Sequence, residues 1–142
     1  MSIARILETR SFEVVTCDAG KTVAQAIELL AEHRIGALPV IDAGSVVGIF
    51  SERDAIYKLR ELGPAALALR VHDAMTSPAV TVDPGTGALD ALSLMTRRRI
   101  RHLPVIEGGR MVGFVSIGDL VKYRIEEIQS EAAALRDYIQ TA

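Results

Sequence analysis

The sequence predicts an α/β protein (α+β by stricter usage) made of two pseudo-symmetric βαββα units packed together, followed by a long C-terminal helix. Three observations predict it. The chain repeats itself: residues 14–58 overlay residues 79–123 without a gap at an offset of 65, and 17 of those 45 positions are identical. Within each copy the apolar spacing alternates between strand and helix periods. After the second copy one helical pattern runs from Ile117 to about Thr141. A duplicated unit of this size is expected to pack on its twin, because one copy cannot bury its apolar face alone. The two units should share one core, and any site at their seam should come as a pair.

Taken in order, residues 2–7 suit a short capped helix, and residues 14–16 are a short strand run. Thr22 with Gln25 three residues on is a capping box. Val23, Ala26, Ile27, Leu30 and Ala31 then recur at helical spacing. Residues 37–41 form an apolar strand whose Pro39 suggests an edge or irregular position. Asp42-Ala43-Gly44-Ser45 is a hairpin turn, residues 46–50 are the return strand, and Ser51 opens a second helix. The second copy repeats this order, with Asp83-Pro84-Gly85 before its first helix and Glu107-Gly108-Gly109 as its turn. Gly63-Pro64 breaks the first unit's last helix, and residues 65–70 add a turn or two. The resulting division is residues 1–62 for the first unit, 63–78 for a structured connector, 79–123 for the second unit and 124–142 for the helical extension.

The 142 residues are 49% apolar and 24% charged, so a packed core is expected and disorder is not. A net charge of −2, from 16 basic and 18 acidic residues, argues against a general polyanion binder. A single cysteine, Cys17, fits a reducing cytoplasm, and no apolar run approaches the ~20 residues of a membrane span. No cysteine, histidine and carboxylate spacing suggests a metal, and the 3 histidines are scattered, so no enzyme is expected. Cys17 suits a small buried role. His33 suits a solvated helix end, and His72 a structural place in the connector.

Both copies carry Gly-apolar-x-Ser-x-x-Asp: Gly48-Ile49-Phe50-Ser51-Glu52-Arg53-Asp54 and Gly113-Phe114-Val115-Ser116-Ile117-Gly118-Asp119. A strand runs there into a helix whose first N–H groups attract anions. The serine hydroxyl suits a phosphate, and the aspartate suits the cis-diol of a ribose. Ser-x-x-Asp is equally a capping box, which needs no ligand.

With these residues, the segments VVTCDAGKTVAQAIELLAEHRIGALPVIDAGSVVGIFSERD and AVTVDPGTGALDALSLMTRRRIRHLPVIEGGRMVGFVSIGD resemble a tandem pair of CBS domains, named for cystathionine β-synthase. The resemblance covers about residues 2–123. It implies a regulatory module that binds an adenosine ligand (AMP, ADP, ATP, NAD(H) or S-adenosylmethionine) in two clefts, each borrowing from both repeats, with no catalytic cofactor. Carried over, Thr16, Cys17, Ile35, Gly36, Ala37, Leu38 and Pro39 would face Ser116 and Asp119. Thr81, Val82, Ile100, Arg101, His102, Leu103 and Pro104 would face Ser51, Arg53 and Asp54. Gly118 stands where the first copy has Arg53, and Gly36 and Ala37 where the second has Arg101 and His102, so the clefts should differ in ligand or affinity.

In the basic run Arg97-Arg98-Arg99-Ile100-Arg101-His102, Arg97 and Arg98 suit a helix C-terminus. Arg101 and His102 suit phosphate contact. Val121, Ile125, Ile128, Ala132, Leu135 and Ile139 are spaced 4, 3, 4, 3, 4, a coiled-coil-like seam that suggests a homodimer. The expected function is a cytoplasmic adenine-nucleotide sensor whose regulated protein is bound in trans. The alternatives are a structural dimerisation module with no ligand, or nucleic-acid binding through residues 97–102.

Overall fold

A computed structural model describes residues 2–9 and 14–141; residues 10–13 and the two chain ends, which the first unit and the helical extension were expected to include, lie outside the described residues. The elements are α1 (Ile3–Glu8), β1 (Cys17–Asp18), α2 (Val23–His33), β2 (Ala37–Asp42), β3 (Ser45–Ser51) and α3 (Glu52–Leu62). A 3₁₀ stretch, Gly63–Ala68, follows, then α4 (Val71–Ala74), α5 (Ala88–Arg98), β4 (His102–Glu107), β5 (Arg110–Ser116) and α6 (Ile117–Thr141). Two pseudo-symmetric units with a long C-terminal helix are therefore present.

The first unit has a three-stranded sheet in the order β1-β2-β3; in the second, β4 pairs with β5. Both hairpins keep the offset of 65: Ala37 pairs with Ser51 as His102 pairs with Ser116, and each ladder has a bulge after its Val40 or Val105. The turns use positive φ at Ala43 and Gly44, and at Gly108 and Gly109, as a tight two-residue hairpin requires.

Four expectations need correction. The first strand is Cys17–Asp18 rather than residues 14–16, because parallel pairing with Val40 and Ile41 sets its place. Its counterpart in the second unit is a single bridge, Val82 with Val105. Pro39 lies on the middle strand of its sheet rather than an edge, next to the bulge between Val40 and Ile41. It is tolerated because β1 pairs only with Val40 and Ile41 on that side, leaving no ladder bond for a proline N–H to supply. Ser2 precedes α1 without a side-chain capping bond. Thr22 does form the capping box with Gln25, at 3.2 and 3.0 Å.

The fourth correction concerns the core. The buried side chains form two clusters, one per unit, rather than one. Each unit closes its cluster with a short helix from elsewhere. α4 brings Val71 and Ala74 to the first cluster, while α1, although it precedes the first unit in sequence, brings Ile3 and Ile6 to the second. The two helices dock alike: Val71 N–H donates to Lys21 O at 2.8 Å, and Ile3 N–H donates to Thr86 O at 2.9 Å. Closing each unit with a distant segment ties the two together.

α6 runs 25 residues and buries only Leu120. Its apolar seam points away from the chain: Ile125 is 50% exposed and Leu135 59%. Among the described residues no helix is long and apolar enough to cross a membrane.

Candidate functional site

Two clefts lie at the seam between the units. The first is lined by Gly36, Ala37, Ile49 and residues 51–54 of the first unit, by Thr76 and Pro78 of the connector, and by Ala79, Val80 and residues 99–102 of the second unit. It encloses about 120 Å³. The second is lined by Val14, Val15, residues 33–37, His102, Phe114, Ser116 and Asp119, and encloses about 490 Å³. Each therefore takes residues from both repeats. Small-molecule sites commonly span roughly 300–1,000 Å³; the second cleft falls within that range and the first below it.

Both Ser-x-x-Asp motifs are capping boxes. Ser51 N–H donates to Asp54 Oδ2 at 2.8 Å and Asp54 N–H to Ser51 Oγ at 3.3 Å. Ser116 and Asp119 repeat this at 2.7 and 3.1 Å. The boxes hold each carboxylate at its helix start, inside a cleft. In the first cleft the Thr76 hydroxyl also donates to Asp54 Oδ1 at 2.9 Å. Thr76 is placed there by a two-way backbone bridge with Ile49.

The charges of the two clefts differ. Arg53, Arg99 and Arg101 line the first, beside Glu52 and Asp54. Arg53 Nη1 donates to the Arg99 carbonyl at 3.4 Å, across the seam. In the second, Arg34 and His33 stand with Asp119, and Gly118 supplies nothing where Arg53 would be. Arg34 and Arg99 end α2 and α5 in the left-handed conformation, which turns Ile35 and Ile100 toward the clefts. Burial, reinforced by the field of Arg101, holds the His102 pKa below its usual value, with Asp119 and Glu52 opposing. Its imidazole stacks on Phe114, with ring centroids 5.5 Å apart and 15° between the planes.

Of the residues singled out by sequence, Ser51, Arg53, Asp54, Ile100, Arg101 and His102 come together in the first cleft. Ile35, Gly36, Ala37, Ser116 and Asp119 come together in the second. The flanking strands are displaced from expectation. Val14 and Val15 line the second cleft in place of Thr16 and Cys17, and Ala79 and Val80 line the first in place of Thr81 and Val82. Cys17 and Val82 have already joined the sheet beside Val40 and Val105, so both side chains are buried. Thr81 lies in a separate shallow depression. Leu38, Pro39, Leu103 and Pro104 are buried core positions of β2 and β4. Burial raises the Cys17 thiol pKa, leaving it unreactive. The basic run is split between two places: Arg97 and Arg98 end α5, while Arg99 and Arg101 enter the first cleft, so it makes no single basic face. Among the described residues no cluster of three or more histidine, cysteine or acidic side chains is placed to hold a metal ion.

Sequence reasoning missed Thr76, Arg34, Arg99 and Phe114 as lining residues. Phe114 sits inside the quoted motif, and Arg34 and Arg99 are an identical repeat pair, so a signal for these three was present. Thr76 had none.

A model of the CBS domain matches the chain twice, over residues 5–61 and 71–126. The chain belongs to the CBS domain family. The CBS domain-containing protein CBSX3, mitochondrial, of Arabidopsis thaliana is 40% identical over 129 residues, covering 87% of this chain; the match spans 63% of the Arabidopsis protein's length. The crystal structure of a CBS-domain containing protein from Agrobacterium tumefaciens is 38% identical with a TM-score of 0.82, covering 87% of this chain and 92% of that one. A structure of CBSX2 in complex with AMP is 25% identical with a TM-score of 0.74, over 88% and 97% of the two chains. The CBS family is regulatory rather than catalytic. The inosine-5'-monophosphate dehydrogenase of Mycobacterium leprae matches this CBS pair over only 20% of its own length.

Proposed function

We propose that this CBS pair is an adenine-nucleotide-binding regulatory module that acts through ligand-dependent change in conformation or assembly on a protein bound in trans. One observation carries the reading. Each seam cleft ends on a helix start where a capping box holds an aspartate, the geometry that suits a ribose diol beside an anion-attracting helix terminus. Arg53, Arg99 and Arg101 in the first cleft suit phosphate. The AMP bound to CBSX2 supports an adenosine ligand generally; AMP, ADP, ATP, NAD(H) and S-adenosylmethionine are the candidates. The ligand shifts an equilibrium only by binding one arrangement better than the other.

An adenosine nucleotide should therefore raise the melting temperature. At a free concentration about 100 times its dissociation constant, linkage gives ~2.7 kcal/mol per site. Differential scanning fluorimetry with the six compounds at millimolar concentration is the check. No shift with any of them would defeat the reading.

The proposal includes a homodimer. Ile56 of α3 and Val121 of α6 are equivalent at the offset of 65, and both are exposed, 62% and 43%. On α6 the exposed apolar side chains continue from Val121 along Ile125, Ile128, Leu135 and Ile139. A second copy would bury these side chains isologously. Truncation after Ile125 should reduce the particle measured by light scattering from two chains to one. An unchanged mass would show that the extension is not needed for assembly.

A further inference from the structure

We propose that the two clefts are energetically coupled through His102, a side chain that belongs to both, so that filling one changes the affinity of the other. The proposal rests on the nucleotide-binding reading and adds a regulation that the reading does not require.

His102, Gly36 and Ala37 line both clefts. The His102 ring lies beside Gly36 and Phe114. A Cβ on Gly36 would lie 3.9 Å from its Cε1, and its face stacks on Phe114 at 5.5 Å with 15° between the planes. Phe114 lines the second cleft. The ring thus stands between Gly36 of the shared wall and Phe114 of the second cleft, so that a shift forced on it by an occupant of one cleft moves a wall of the other.

The backbone joins the same parts crosswise. Glu52, the first residue of α3, donates its N–H to Gly36 O at 3.0 Å. A ligand drawing on Ser51 and Asp54 at the start of α3 thus acts on Gly36, a wall of the second cleft. Ile117, the first residue of α6, donates its N–H to Arg101 O at 2.8 Å. A ligand drawing on Ser116 and Asp119 thus acts on Arg101, a wall of the first cleft. The ladder pairs Ala37–Ser51 and His102–Ser116 run in parallel with these bonds. Coupling of this kind is reciprocal, and each cleft must shift the other's affinity by the same factor.

The test is titration calorimetry of the full chain with AMP, using wild type, Asp54→Asn and Asp119→Asn. Each variant is titrated over concentrations where it fills only its intact cleft. If the clefts are independent, the wild-type isotherm is the sum of the two single-cleft isotherms. The expected result is that one apparent affinity in wild type departs from that sum by at least about fivefold, and that the departure vanishes when all three proteins also carry His102→Ala. If the alanine chain melts below the titration temperature, His102→Val, a β-branched residue suited to a strand, replaces it. A wild-type isotherm that equals the sum would overturn the coupling and leave nucleotide binding intact. A departure that survives loss of the ring would overturn the role of His102. No heat with AMP in any chain would overturn the coupling with AMP as its ligand; the nucleotide reading falls only if the other candidate compounds are silent as well.

Discussion

Gly48→Val should destabilise the chain by about 3 kcal/mol, while Gly113→Val should cost clearly less. The two glycines are repeat equivalents, but their surroundings differ in kind. A Cβ at Gly48 would lie 2.7 Å from Met75 Sδ and 2.7 Å from the Thr76 carbonyl oxygen. The sulfur can move aside; the oxygen cannot, because Thr76 and Ile49 exchange backbone hydrogen bonds at 3.0 and 2.9 Å. Overpacking costs about 1–3 kcal/mol, and each displaced backbone bond about 0.5–1.5 kcal/mol. At Gly113 the three atoms nearest the added one all belong to the Leu7 side chain, at 2.5 to 3.3 Å, and a side chain of the short helix α1 can rotate away. Urea denaturation of both variants checks this. Equal losses would mean that the connector crossing at Gly48 is as yielding as α1. Displacing Thr76 should also release Asp54 Oδ1, so any nucleotide affinity of the first cleft should change in Gly48→Val and stay closer to wild type in Gly113→Val.

Asp54→Asn should separate the capping role from the ligand role. Asp54 accepts from the Ser51 amide at 2.8 Å, the Ser51 hydroxyl at 3.0 Å and the Thr76 hydroxyl at 2.9 Å. Asparagine keeps the size and one acceptor oxygen, so the helix start survives. The missing charge costs the interaction with the helix dipole, ~0.3–1 kcal/mol at such a site, and the melting temperature without nucleotide should fall slightly. A ribose diol held by the carboxylate loses a charge-assisted hydrogen bond, worth about 1.5–3 kcal/mol, or tenfold or more in affinity. Asp119→Asn should do the same to the second cleft. The two effects should be unequal, because the arginines gather in the first cleft and the larger opening is the second.

What was legible in the sequence followed from local chemistry or from duplication. The hairpins appear at the stated turns because Ala43-Gly44 and Gly108-Gly109 take the positive φ a tight turn needs. Thr22 and Gln25 meet because a capping box is a four-residue device. The clefts come as a pair because the ladders Ala37–Ser51 and His102–Ser116 repeat at the offset of 65. What was not legible depended on distant partners. Residues 14–16 have strand-forming side chains, yet the strand forms at Cys17 because Val40 is there to pair with it. Nothing within α1 says that Ile3 and Ile6 will close the second unit. Thr76 looks like any connector residue until the bridge to Ile49 carries its hydroxyl to Asp54. The two separate cores follow from the same cause: α4 and α1 let each unit bury its own apolar face.

The most direct measurement is side-by-side titration calorimetry of the wild type, Asp54→Asn and Asp119→Asn with the nucleotide that stabilises the fold best. The expected result is two nucleotides per wild-type chain, with each variant weakened about tenfold or more in its own cleft and the two variants unequal. Equal affinity and stoichiometry in all three proteins would reduce both Ser-x-x-Asp motifs to helix caps and contradict the assignment of the clefts.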